Sequence, residues 1–256
     1  LPVTVLPVAV LSGQDKSTKL QKVGRMAGQN AVMLRNIQAV IFDVGETLVN
    51  EERLWQGWAT YLGVAETEFR EVLDQVIARG DHHHKALFHF DPKLDLRAAR
   101  LDRERKGDGD LFDAADLYSD ALDCLNHLKN LNLRVGIAGN QPVGAERALK
   151  EAGFEVDFVA SSERWGVAKP DGRFFRRIVD ECGTEAISIA YVGDRLDNDI
   201  LPARAAGMTT VFIERGPWGR NHAKSPDITL ADWHVTTLKQ IAELFSASVA
   251  LGNERI

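Results

Sequence analysis

From Ile37 onward the chain alternates between two hydrophobic patterns. "IQAVIFD" (residues 37–43) is a continuous apolar run rich in β-branched residues, the pattern of a strand buried on both faces. "LRVGIAG" (133–139), "VDFVA" (156–160), "ISIAYVG" (187–193) and "TTVFIE" (209–214) repeat it. Between these runs, residues 144–152, 172–182 and 199–206 carry apolar side chains at helical spacing. Strand and helix in alternation, with short connections, predict an α/β fold: a doubly wound parallel sheet with helices on both faces.

The alternation is interrupted once. About ninety residues separate the first strand from the second, far more than one crossover needs. Residues 51–79 place Leu54, Trp55, Trp58, Leu62, Phe69, Val72, Leu73 and Val76 three to four apart, which predicts a helix. "DLRAARLDRER" continues as a charged helix, and residues 111–130 as a further helix returning to the sheet. The insert is expected to form a small all-helical cap, 51–118, over the carboxyl edge of a core made of 37–50 and 119–256. Residues 1–36 read as an extension, disordered or loosely docked. Their opening "LPVTVLPVAV" has no basic stretch before it and is broken by Pro2 and Pro7, unlike a secretory signal.

Composition narrows the class only slightly. Among 256 residues, 45% are hydrophobic and 27% charged, an ordinary globular balance, and the formal net charge of −6 argues against a nucleic-acid partner. Cys124 and Cys182 each sit in an apolar-periodic segment, which predicts two buried thiols in a reducing, cytoplasmic setting. No apolar run reaches the ~20 residues of a membrane span.

In open α/β sheets, ligands bind outside the carboxyl ends of the strands. The predicted edge carries Asp43 after the first strand and, in "GDRLDND" after the fourth, Asp194, Asp197 and Asp199. Lys169, in "GVAKPDGRFF", follows the third. Carboxylates converging there repel one another by about 4 kcal/mol per pair at ~4 Å and an effective dielectric near 20, unless a cation joins them. Oxygen-only donors suit a hard divalent cation, usually magnesium (Mg2+) keeping some of its waters, with Lys169 as a second positive charge.

Four motifs then fall in order: "FDVGETL", "VGIAGNQ", "GVAKPD" and "VGDRLDNDILPARAAGM". With them the chain resembles the haloacid dehalogenase (HAD) superfamily of hydrolases, in the group whose helical cap is inserted after the first motif. The resemblance implies a Rossmann-like core and a magnesium-dependent phosphatase acting on a small phosphorylated metabolite. It casts Asp43 as a nucleophile that forms an aspartyl-phosphate, and Lys169 as the lysine pairing with Asp43 and the phosphate. Asp194 matches a metal ligand, Asp199 binds the metal or orients its waters, and the backbone carbonyl of Gly45 completes the metal shell. Gly139 and Asn140 fall at the phosphate-binding second motif. A monomer or homodimer, with no nucleic-acid or membrane partner, is expected.

Two positions depart from the family pattern. Its phosphatases carry a second aspartate two residues after the nucleophile, acting as acid for the leaving group and then as base for water; here that position is Gly45. The second motif usually has Ser or Thr before the Asn; here Gly139 forfeits a hydrogen bond to a charged group worth roughly 1.5–3 kcal/mol. Glu46 is the nearest replacement acid. A strand's period of two turns it away from Asp43, so it reads as solvated or holding a neighbouring backbone group, though flexible Gly45 could bring it round. One catalytic carboxylate is therefore expected, with weak turnover biased towards good leaving groups, because general acid catalysis contributes typically ~10²–10⁴ in rate. Two alternatives stay open. One is a dehalogenase or phosphonatase-type activity, the latter needing a cap lysine such as Lys85 or Lys93. The other is a non-catalytic or regulatory domain that binds phosphate and metal.

The remaining features read as structural. "DHHHKALFH" (81–89) reads as a solvated hinge, Trp55, Trp58 and Tyr61 as cap core, and "DRERKGDGD" as a solvated turn rather than a calcium loop. "PWGR" (217–220) reads as a surface loop, and Arg195 is divided between a substrate anion and Asp197.

Overall fold

In the computed structural model, which describes Leu34 and residues 36–253, six strands form one fully parallel sheet. They are β1 (Ala39–Phe42), β2 (Arg134–Gly139), β3 (Phe158–Ser161), β4 (Ile189–Gly193), β5 (Thr209–Ile213) and β6 (Trp233–Val235), in the order β3-β2-β1-β4-β5-β6. The doubly wound, Rossmann-like architecture is the one the alternating pattern predicts. The expected N-terminal extension lies, through residue 33, outside the described residues. β6 was not foreseen, because three residues are too few to display a strand period.

Alternate residues of β1 face opposite layers. Val40 and Phe42 join Val135, Ile137, Val192 and Val211 in one apolar layer, while Ala39 and Ile41 join Ala138, Tyr191, Phe174 and Phe175 in the other. Burial on both faces is why the strand sequences are continuous rather than alternating. Strand order reverses at β1, between β2 and β4, and Phe42 pairs with both Ile137 and Val192. The residues following β1 and β4 therefore leave the sheet side by side, at its switch point. The Asp43 amide fixes that exit by donating to the Val192 carbonyl at 2.9 Å.

The insert is helical: α1 (Glu52–Leu62), α2 (Glu66–Ala78), α3 (His84–Phe90) and α4 (Leu96–Arg105). Trp55, Trp58, Phe69, Leu73, Val76 and Leu87 form its own buried cluster. Gly63, at φ 70°, ends α1 and splits the single helix expected over 51–79. The histidine stretch, expected as a solvated hinge, lies at the connection between α2 and α3, with His82 exposed, His83 and His84 half-buried and Ala86 and Leu87 buried in α3. The helix expected over 111–130 is confined to α5 (Ala121–Asn130). Ahead of it, Asp113 accepts from the Ala115 amide at 2.8 Å and Asp116 from the Asp113 amide at 2.9 Å, so local caps take backbone donors a longer helix would need. Nor is the acidic turn merely solvated. Asp108 and Asp110 pair at 3.1 and 2.5 Å with Arg103, which is 1% exposed and stacks 4.4 Å over Trp58.

The sheet helices follow: α6 (Val143–Glu151), α7 (Ser162–Trp165), α8 (Gly172–Cys182), α9 (Leu201–Ala205), α10 (Gly216–His222) and α11 (Leu238–Asn253). "PWGR" is not a surface loop but part of α10. Trp218 is buried in the insert's cluster, and the Arg195 guanidinium lies 3.7 Å over its ring. That contact ties the insert to the loop after β4.

Candidate active site

Four segments deliver charge to the carboxyl edge of the sheet. β1 ends on Asp43, and β4 runs through Gly193 into Asp194. One π-helical turn, Leu196–Ile200, carries Asp199, and the loop between α7 and α8 carries Lys169. Asp43, Asp194 and Asp199 are all buried, with carboxylate oxygens within 4.8 Å of one another. Lys169 Nζ bridges two of them, 2.7 Å from Asp43 Oδ1 and 2.6 Å from Asp199 Oδ1. The second Asp199 oxygen accepts from the Arg195 amide at 3.0 Å. Asp194 meets no hydrogen-bond donor among the described residues.

Two strand-end glycines make this convergence possible. A Cβ on Gly193 would lie 2.5 Å from Asp199 Cγ, and one on Gly139 would lie 2.6 Å from Asp43 Oδ1. Gly139, expected at the phosphate-binding motif with its hydroxyl lost, also leaves the room in which the Asp43 carboxylate rests. The Asn140 side chain is engaged with the backbone of Lys169. Its Oδ1 accepts from the Lys169 amide at 2.8 Å and its Nδ2 donates to the Lys169 carbonyl at 2.9 Å, so its side chain positions the lysine.

The electrostatics are those of a site short of positive charge. Burial alone would push the Lys169 ammonium down, but Asp199 and Asp43 outweigh it and hold the group well above its usual range. Burial, then the Asp199 and Asp43 charges, pushes the Asp194 carboxyl well above the usual carboxylate range. Asp199 is raised to about 6 by burial, against the pull of Lys169. Three carboxylates facing one ammonium leave a formal excess of two negative charges, which one divalent cation balances. The donors are all oxygen and Asp194 is unpartnered, so the residues fit a hard cation such as Mg2+.

Glu46 adopts φ 53°, a left-handed conformation uncommon for a non-glycine residue, and swings away from Asp43. Its Oε2 accepts from the Tyr118 hydroxyl at 2.5 Å and its Oε1 from the Glu51 amide at 3.4 Å. The carboxyl beside Gly45 is instead that of Glu51, the residue just before α1. A Cβ on Gly45 would lie 3.0 Å from Glu51 Cδ and closer still to Oε1. Burial, then the Glu46 and Asp43 charges, raises the Glu51 carboxyl to about 8. No periodicity signals this residue; the only hint is an acid at the junction of loop and insert.

Other candidates lie elsewhere. Arg195 pairs with Asp197 at 2.6 Å. Lys93 is exposed, and exposed Lys85 pairs with Asp81 at 2.6 Å. Trp55 and Trp58 are insert core, with Tyr61 partly buried beside them. The rings of His82, His83 and His84 cluster with centroids 4.2–4.7 Å apart, but His82 Nδ1 accepts from the His84 amide and Arg100 Nη2 stands 3.2 Å from His84 Nε2. Burial holds His83 down to about 2 and His84 to about 4.

Comparison with known proteins agrees with this geometry. The sequence profile of the haloacid dehalogenase-like hydrolases matches residues 37–207. The chain is 30% identical over 225 residues to a glyceraldehyde 3-phosphate phosphatase of Methanopyrus kandleri, covering 76% of this chain and 93% of that one. Its fold is similar to a HAD phosphatase from Thermococcus onnurineus, with a TM-score of 0.55 and 24% identity over 82% of this chain and 99% of that one. It is also similar to the L-2-haloacid dehalogenase of Xanthobacter autotrophicus, with a TM-score of 0.59 and 16% identity over 82% and 98%. With its profile matched from the first strand to the turn after α9, and a buried Asp–Lys–Asp cluster at the switch point of the sheet, the chain belongs to the haloacid dehalogenase-like hydrolases.

Proposed function

We propose that this hydrolase is a divalent-cation-dependent phosphatase of small phosphorylated metabolites, with Asp43 as nucleophile. The observation that carries the reading is the Lys169 ammonium held between Asp43 and Asp199, with Asp194 buried beside them and without a donor. Asp43 Oδ2 is free of Lys169, and attack by that oxygen on phosphorus forms an Asp–O–P bond as the bond to the leaving oxygen breaks. Lys169 fixes Oδ1 and places positive charge where the phosphoryl oxygens gather. Water then cleaves the phospho-enzyme and returns Asp43 and inorganic phosphate. Asp43, Asp194 and the Gly45 carbonyl, with Asp199 on the metal or its waters, would hold Mg2+, which when bound would neutralise charge for the approach of an anionic phosphate. The helical insert, residues 51–118, serves as the cap that shapes the substrate side.

The acidic cluster favours this reading over dehalogenation, which has no anionic phosphate to neutralise. Two exposed cap lysines give no support to a phosphonatase-type imine. The free, buried thiols of Cys124 and Cys182 fit a cytoplasmic setting, and among the described residues no helix is long and apolar enough to cross a membrane. The test is hydrolysis of 4-nitrophenyl phosphate with and without Mg2+, in wild type and Asp43→Asn. Mg2+-dependent release that disappears in the variant supports the proposal. No release from wild type in Mg2+ sinks it and leaves a binding domain.

A further inference from the structure

We infer that Glu51 stands in for the missing second aspartate: its carboxyl protonates the leaving oxygen and then takes the proton of the attacking water. This rests on the phosphatase reading above and goes beyond it, because the Gly45 position alone predicts a site with a single catalytic carboxylate.

The placement is geometric. In the strand's period of two, position 45 faces the same side as Asp43. The volume a side chain there would enter is filled by the Glu51 carboxyl, whose Oε1 is about as far from a Gly45 Cβ as an aspartate's own oxygens are from theirs. Glu51 reaches this point because the loop turns back at once. The Glu46 amide donates to the Val49 carbonyl at 2.7 Å, and the Val49 amide to the Val44 carbonyl at 3.0 Å. The Glu51 backbone is pinned at both ends, its amide by Glu46 Oε1 at 3.4 Å and its carbonyl by the Trp55 amide at 3.1 Å. No hydrogen bond from a described residue ties its carboxyl, which stands against Gly45 and is open to a leaving oxygen there. Glu46, the sequence's nearer acid, is instead the brace that holds Glu51, tied down by Tyr118. Glycine at 45 is then a requirement of the arrangement, since any side chain there displaces the Glu51 carboxyl.

In the forward step the Glu51 proton passes to the oxygen that departs as the P–O bond breaks, leaving an alcohol and a Glu51 carboxylate. In the second step that carboxylate accepts a proton from the water whose oxygen attacks phosphorus. The O–P bond to Asp43 breaks and Glu51 is protonated again, so the cycle closes without another reactant.

The test uses the full chain in Mg2+ with two aromatic phosphates of similar size, 4-nitrophenyl phosphate and benzyl phosphate, whose leaving groups differ greatly in basicity. Glu51→Gln, close in shape, is expected to lower benzyl phosphate turnover by ~10²–10⁴-fold. With 4-nitrophenyl phosphate it should retain a fast burst of nitrophenolate, stoichiometric with enzyme, followed by slow release. That split separates loss of acid and base from a general loss of structure. Gly45→Asp alone should lower activity by crowding Glu51. Gly45→Asp with Glu51→Ala should recover benzyl phosphate turnover relative to Glu51→Ala alone. An unchanged benzyl-to-nitrophenyl ratio in Glu51→Gln, no burst, or no recovery in the double variant overturns the role of Glu51, while Asp43-dependent hydrolysis by wild type leaves the phosphatase reading standing. Wild type inactive on both substrates overturns both.

Discussion

Replacing Lys169 by methionine removes the one ammonium that joins the acidic cluster while keeping much of its apolar stem. Asp43, Asp194 and Asp199 then face each other, buried, with oxygens within 4.8 Å and no protein cation between them. Each ionised pair at that separation repels by about 3.5 kcal/mol or more at an effective dielectric of 20. The cluster relieves part of this by taking up protons, at about 1.4 kcal/mol per unit of pKa moved, so the full repulsion is never expressed. A net loss of ~3–5 kcal/mol is expected, the usual cost of breaking a buried ion pair from one side. Two signatures mark the cause as charge rather than packing. First, in chelator the variant should gain stability relative to wild type as pH falls from 7.5 towards 6. Carboxyls whose folded pKa is raised contribute stability at low pH and lose it as pH rises through that value. Second, Mg2+ should stabilise the variant more than wild type, because the cation enters a cluster one charge more negative. Urea unfolding followed by the fluorescence of the five tryptophans, in chelator and in Mg2+, measures both. A variant as stable as wild type in chelator, or one that Mg2+ stabilises no further, would refute the account of the cluster as charge-starved.

Three further outcomes are expected. Gly139→Ser restores the hydroxyl usual in the family, yet its Cβ would lie 2.6 Å from Asp43 Oδ1, so kcat should fall about tenfold or more; a gain would show that Asp43 yields freely. Arg103→Leu should cost ~2–3 kcal/mol, below the full buried-pair value because Asp108 and Asp110 are 42% and 28% exposed and can rehydrate, and should open the insert to limited proteolysis first; an unchanged cleavage pattern counts against it. His83 is held neutral when folded, with its pKa depressed to about 2, so it opposes folding as pH drops below its unfolded value near 6.5, by at most about 2 kcal/mol at pH 5. His83→Gln should flatten the melting temperature between pH 7.5 and 5, and parallel curves for the two proteins would reject this.

The strands and sheet helices were legible because burial writes itself into composition. β1, β2, β4 and β5 are covered on both faces, so each reads as an apolar run whatever its neighbours are. What failed to read out was governed by single contacts. The break at Gly63 depends on one left-handed residue, the short turn ahead of α5 on two aspartate caps, and the docking of α10 on one tryptophan entering a distant cluster. Arg103 shows the same limit: in sequence it belongs to a charged, apparently solvated helix, and only the stacking of Trp58 and the return of Asp108 and Asp110 account for its burial.

Within the site, the legible residues were those whose place follows from strand ends: Asp43, Asp194 and Asp199 converge because β1 and β4 are neighbours, and the segment after β3 brings Lys169 to them. Glu51 follows a different rule. A motif indexes chemistry by position along a strand, so an acid moved from two residues after Asp43 to eight after it looks like an acid lost. The active site counts only positions in space, and a tight loop that brings residue 51 back against residue 45 makes the two arrangements equivalent for the leaving oxygen. They differ in what carries the carboxyl. An aspartate at 45 would hang from the loop that leaves β1, whereas Glu51 is joined to the first helix of the insert, its carbonyl accepting from the Trp55 amide at 3.1 Å.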